Sequence, residues 1–92
     1  MSDVFDALAH PVRRKILKLL RGGAMSAGDL AAHFDLAKPT LSGHFTVLKT
    51  ADLVTSERRG TTILYRLNMS VLEEALAALM SIVGSKPSGE ET

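Results

Sequence analysis

Apolar positions along this chain follow two rhythms, and the change between them divides it. Up to about residue 51 the spacing is helical. Val4, Phe5 and Leu8 stand at i, i+1 and i+4 and predict a short amphipathic helix over residues 3–9. His10-Pro11 interrupts it, because proline disfavours a helical residue before it and suits the first turn of the next helix. Residues 12–21 then set Val12, Ile16, Leu17, Leu19 and Leu20 among five cations, and Gly22-Gly23 ends the segment. Ser26 and Asp29 form the ends of a capping-box pattern that opens a third helix, expected to run to about Phe34. A fourth begins at Lys38-Pro39 and runs to about Ala51, with Leu41, Phe45 and Leu48 as its buried stripe and Val47 alongside.

Beyond Asp52 the period falls to two. Residues 54–58 and 61–67 read as strands around a turn at Gly60, with Ile63, Tyr65 and Leu67 on one face of the second. Asn68-Met69-Ser70 leads into a last helix over about residues 70–83. The remainder, GSKPSGEET at residues 84–92, is small and polar and is expected to be a flexible tail behind a single domain of residues 1–83. The expected fold class is mostly α with a small β-hairpin, in the order α-α-α-α-β-β-α. Two helices joined by a tight turn and followed by a hairpin make the winged helix-turn-helix plan.

Composition narrows the function classes. The chain has no cysteine, so disulfides and thiolate zinc sites are excluded, and a cytoplasmic protein is the expectation. The start MSDVFDALAHP lacks the basic and apolar regions of a signal peptide. The most apolar stretch, residues 71–83, is too short and too charged to span a bilayer, so no membrane insertion is expected. Net charge is only +1, but its distribution is uneven: residues 1–37, 38–66 and 67–92 carry +1, +3 and −3. A basic middle and an acidic end suggest an anion on one face and a different partner on another.

That basic middle contains the helix that would enter a DNA major groove. Its outward positions are Lys38, Thr40, Ser42, Gly43, His44, Thr46 and Lys49, with no carboxylate among them. Short polar side chains allow close approach to base edges, and lysine supplies phosphate contact. Gly43 is costly inside a helix, which fits either close approach to DNA or a tolerant exposed site. Arg58 and Arg59 beside Gly60 place two guanidinium groups at the hairpin tip, within reach of a minor groove or flanking phosphates. The five cations of residues 13–21 read mainly as a solvated face.

Catalysis and metal binding find little support. His10, His33 and His44 do not pair at helical spacing, and Asp29 with His33 would make only half a metal site. Ser42 and His44, two apart on a helix, point in different directions and cannot act as nucleophile and base. No cofactor, metal or enzymatic activity is expected.

The last helix is apolar nearly all round, which one domain of this size cannot cover alone. A second copy is the natural cover. Its expected contacts are Val4, Phe5 and Leu8 with Leu72, Ala75, Leu76, Leu79, Met80 and Val83. Such a homodimer would present two reading helices to double-stranded DNA of palindromic sequence. The rival from another class is a winged-helix module that binds a protein through its basic face or its apolar last helix.

Several segments together resemble the ArsR family of repressors. Ala7 to Leu17 is similar to the family's opening helix pair, and Lys38 to Lys49 resembles its reading helix. Ala51-Asp52-Leu53-Val54, Arg59-Gly60 and Tyr65-Arg66-Leu67 are similar to the stretch after that helix, the wing glycine and the closing strand. The resemblance implies a homodimeric repressor seamed by its first and last helices. It also implies that Ser42 and His44 face the groove, with Thr40 beside them and Arg59 in the wing. The third helix has none of the family's metal-sensing cysteines and the last helix none of its histidines, so metal sensing does not carry over. What remains resembles a metal-free autorepressor subgroup, with a sequestering protein partner as one open route of control. Four positions depart from the family pattern: His10 for Asp, Ala37 for a capping Ser or Thr, Gly43 for a larger polar residue, and Asp52 for Gly.

Overall fold

A computed structural model describes residues 3–84. Its elements are α1 (Val4–Leu8), α2 (Pro11–Leu20), β1 (Met25–Ser26), α3 (Ala27–Ala31), α4 (Lys38–Thr50), β2 (Val54–Arg59), β3 (Thr62–Leu67) and α5 (Met69–Val83). The expected helix order and hairpin are present. Apart from Gly84, the expected tail lies outside the described residues.

The first four helix starts have local causes. Asp3 accepts the Phe5 amide at 2.9 Å and opens α1. His10 caps α2, its Nδ1 accepting the Val12 amide at 3.1 Å, with Pro11 in the first turn. Ser26 accepts the Asp29 amide at 3.0 Å and opens α3 as the capping pattern requires. Ala37 supplies no side-chain cap to α4, which relies on Pro39 in its first turn.

The hairpin is one part of a larger sheet. β1 pairs antiparallel with β3 through Met25–Tyr65 and Ser26–Leu64, giving the order β1-β3-β2. Two residues carry no period, so this strand left no pattern to read. Between β2 and β3 the register runs from Val54–Leu67 to Arg59–Thr62, leaving Gly60-Thr61 as a two-residue loop. Gly60 has φ +62°, a conformation that suits glycine at the first loop position of a tight hairpin. Asp52 takes φ +61° where α4 ends. Its amide bonds to the Lys49 carbonyl at 2.9 Å, and the Leu53 amide reaches the Leu48 carbonyl at 3.0 Å. Those two bonds make a Schellman motif, with aspartate in the left-handed position usually held by glycine.

The core lies where α2, α3 and α4 meet the sheet. Ile16, Leu30, Leu48 and Leu53 are fully enclosed, with Leu17, Leu20, Leu41 and Phe45 around them. Phe45 stacks on Tyr65 at 4.6 Å between ring centroids, which fixes α4 against β3. Burial raises the Tyr65 hydroxyl pKa.

Three details differ from the sequence-based expectation. α3 stops at Ala31 rather than near Phe34, and the chain then tightens into turns from His33 to Leu30 and from Phe34 to Ala31. Asp29 and His33 therefore do not share a continuous helix. Val47 is exposed, because α4 buries only the Leu41, Phe45, Leu48 stripe.

Candidate nucleic-acid interface

The helix-turn-helix is α3, the turn of residues 32–37, and α4. Proline and the buried stripe of α4 turn its other side outward. Lys38, Thr40, Ser42, Gly43, Thr46 and Lys49 are all exposed there, and no carboxylate interrupts them. A methyl group placed on Gly43 would meet no protein atom within 4 Å, so the protein's own packing does not require glycine there. Thr46 Oγ1 donates to the Ser42 carbonyl at 3.1 Å, which turns one hydroxyl proton inward along the helix.

His44 is placed differently. It is half-buried, and its ring lies 4.5 Å from the ring of His10 at the start of α2. Its Nδ1 stands 3.1 Å from Nη1 of Arg13. Burial, then the neighbouring His10, then the Arg13 charge hold its pKa below the ordinary histidine value. The imidazole is thus neutral at neutral pH.

Arg13, Arg14 and Lys15 are more than a solvated face. Arg13 donates through Nε to the Ala7 carbonyl at 2.8 Å and through Nη2 to the Asp6 carbonyl at 3.0 Å. Arg14 donates to the Leu8 and Ala9 carbonyls at 2.9 and 3.0 Å. Lys15 donates to the His33 carbonyl at 2.9 Å and lies over the Phe34 ring. A five-residue helix such as α1 cannot hold itself in water, and Arg13 and Arg14 satisfy the carbonyls at its end. Sequence reasoning could have found this from cations following a short helix that has no basic residue in its own last turn.

At the wing, Arg58 and Arg59 are both exposed next to the loop. Arg59 Nε is paired with Glu57 Oε2 at 3.0 Å. Arg58 makes no side-chain hydrogen bond among the described residues. Glu57 therefore places one carboxylate beside the wing cations.

The expected dimer residues divide into two groups. Ala75 is buried within the chain, and Val4, Leu8 and Leu72 pack partly against its own core. Phe5, Leu76, Leu79 and Val83 remain open at 44, 58, 43 and 72% exposure, while Met80 is half-buried. Ile82, outside the expected set, is the most exposed of all at 81%. Among the described residues no three His, Cys, Asp or Glu side chains gather to hold a metal ion. No helix among them is long and apolar enough to cross a membrane.

A helix-turn-helix whose second helix shows an acid-free face, flanked by a hairpin with arginines at its tip, defines a winged helix-turn-helix regulator of the DNA-binding class. A family model described as a helix-turn-helix domain matches residues 8–57. The transcriptional repressor SdpR of Bacillus subtilis is 43% identical over 83 residues, covering 90% of this chain and 92% of that protein. The arsenical resistance operon repressor of Staphylococcus xylosus is 38% identical, covering 79% and 70%. Among solved structures, a possible transcriptional regulator for arsenical resistance superposes with a TM-score of 0.78 at 35% identity, covering 84% of this chain and 80% of the other. HlyU from Vibrio cholerae superposes at 0.72 with 25% identity, covering 86% of each. The chain belongs to the ArsR family of winged helix-turn-helix transcriptional repressors. It is a regulator of transcription, not an enzyme.

Proposed function

We propose that two copies of this chain bind an inverted-repeat operator in the cytoplasm and repress transcription there, with the chain's own promoter as the first candidate target. The observation that carries this reading is the outward face of α4, with Lys38 and Lys49 at its ends, short polar groups between and no acid. Lys38, Thr40, Ser42, Gly43, His44, Thr46 and Lys49 would meet the groove, with Arg58 and Arg59 on the flank. Two-fold symmetry would set the two reading helices roughly 34–36 Å apart.

The open apolar face of α5 supports self-association, since a second copy would cover Leu76, Leu79, Ile82 and Val83 together with Phe5. Control without metal sensing is supported by the absence of cysteine from the chain. The same uncovered face also fits the second reading, a module that docks a partner protein.

Fluorescence anisotropy with DNA from the chain's own upstream region, against a scrambled competitor, tests the proposal. Specific binding with a two-half-site footprint supports autorepression. Weak, salt-sensitive binding equal for both duplexes moves the operator elsewhere. No binding at low salt favours the protein-docking module.

A further inference from the structure

The guanidinium of Arg13 sits between two functional parts of the fold. On one side its Nε and Nη2 hold the Ala7 and Asp6 carbonyls at the end of α1. On the other, Nη1 meets Nδ1 of His44, thirty-one residues away on the reading helix. An arginine nitrogen only donates, so His44 Nδ1 must accept, and the single proton of the neutral ring must stand on Nε2. No other hydrogen bond to His44 exists among the described side chains. His10, whose ring packs against His44, spends its own Nδ1 on the Val12 amide and does not compete for that of His44.

We propose that Arg13 is a positioning residue for DNA reading, fixing His44 as the Nε2–H tautomer so that the ring meets DNA as a hydrogen-bond donor. A donor selects acceptor edges in the major groove: O6 or N7 of guanine, N7 of adenine, O4 of thymine. Without Arg13 the ring samples both tautomers and protonates more readily, and it ceases to discriminate donors from acceptors. Because the same guanidinium holds the α1 carbonyls, the setting of α1 is tied to what His44 presents. The base-facing half of this inference rests on the DNA-binding proposal above; the tautomer does not.

The wild-type chain decides the tautomer directly. In a long-range proton–nitrogen spectrum of 15N-labelled protein at neutral pH, His44 should show a protonated Nε2 and a bare Nδ1. An Nδ1–H ring, or averaged signals, would overturn the proposal. In Arg13→Met the two His44 signals should move toward averaged values. Unchanged signals would show that Arg13 does not hold the ring.

The role on DNA is read as the ratio of affinity for a duplex selected from a random library to that for a scrambled duplex, which cancels any loss of folded chain. Arg13→Met and His44→Ala should each lower the ratio roughly fivefold, the worth of one net hydrogen bond. The double variant should lose no more than either single one. Additive losses would overturn the coupling. Failure to bind any duplex would instead refute the DNA reading and the base-facing role with it, while the spectrum still decides the tautomer.

Discussion

Glu57 and Arg59 lie two residues apart on the same face of β2, and their side chains meet at 3.0 Å. The free wing thus carries an arginine already engaged by a carboxylate, next to Arg58, which is not. A surface pair of this kind is worth only about 0.2–1 kcal/mol, so phosphate can displace it. Replacing Glu57 by Gln should therefore release Arg59 and remove a repulsive charge. We expect DNA affinity to rise roughly threefold to tenfold at low salt, with a steeper salt slope. Anisotropy titrations across a salt series measure both, and an unchanged affinity would take Arg59 off the phosphate contacts.

Gly43 offers a second test, since the structure has open space around it. Alanine there should stabilise the fold by about 0.5–1 kcal/mol through helix propensity alone. If α4 lies close against DNA, the same change should weaken specific binding. Denaturant melts and binding titrations on one variant separate the two effects. A stabilised protein with undiminished affinity would mark Gly43 as a tolerated exposed residue.

Asp52 closes α4 in the left-handed conformation. Glycine adopts that conformation without a side-chain penalty, partly offset by a more flexible unfolded chain, so Asp52→Gly should add about 0.5 kcal/mol. A β-branched residue should do the opposite. Asp52→Val is expected to cost about 1–2 kcal/mol, read as a lower urea midpoint with an unchanged slope.

The His44 environment makes stability depend on pH. Its folded pKa lies below the ordinary value of 6.5, so as pH falls through that value the unfolded chain binds the proton first. Stability should be full above neutrality and decline as pH drops below 6.5 toward the lowered folded pKa. Urea melts at pH 7.5 and 5.0 should show the decline in wild type and a smaller one in His44→Gln. An equal decline in both would assign it to other groups.

Ile82 and Leu79 lie on the open side of α5, outside the chain's own core. If a second copy covers this face, as proposed, changing either to Glu should leave the circular dichroism spectrum intact while shifting sedimentation from dimer to monomer. Operator affinity should then fall sharply, because each half-site would be bound alone. A Leu79→Glu protein that sediments unchanged would direct the search for the contact elsewhere.

The elements legible in the sequence were those with a local pattern: the buried stripe of α4, the alternation of β3, and the capping pattern that opens α3 at Ser26. β1 is two residues long and exists only because β3 is there to pair with it. Arg13 and His44 share no local pattern, being brought together by the crossing of α2 and α4. The partner of Arg59, by contrast, was readable in principle, since opposite charges two apart on a strand share a face. For α5, the pattern marked an apolar surface but not which residues its own core would take, and Ala75 and Ile82 ended on opposite sides of that division.

Ser26 serves twice, as the last residue of β1 opposite Leu64 and as the cap that starts α3. Ser26 thus joins the wing to the reading unit through the middle strand of one sheet, beside the Phe45–Tyr65 stack that ties α4 to the same strand. For the proposed DNA binding such a joint would act as a gauge: the span from groove to flank would be set inside each copy rather than negotiated with each target. Side chains on α4 can then change what is read while the grip keeps its width, whereas an insertion in the hairpin would move the grip and spare the reading.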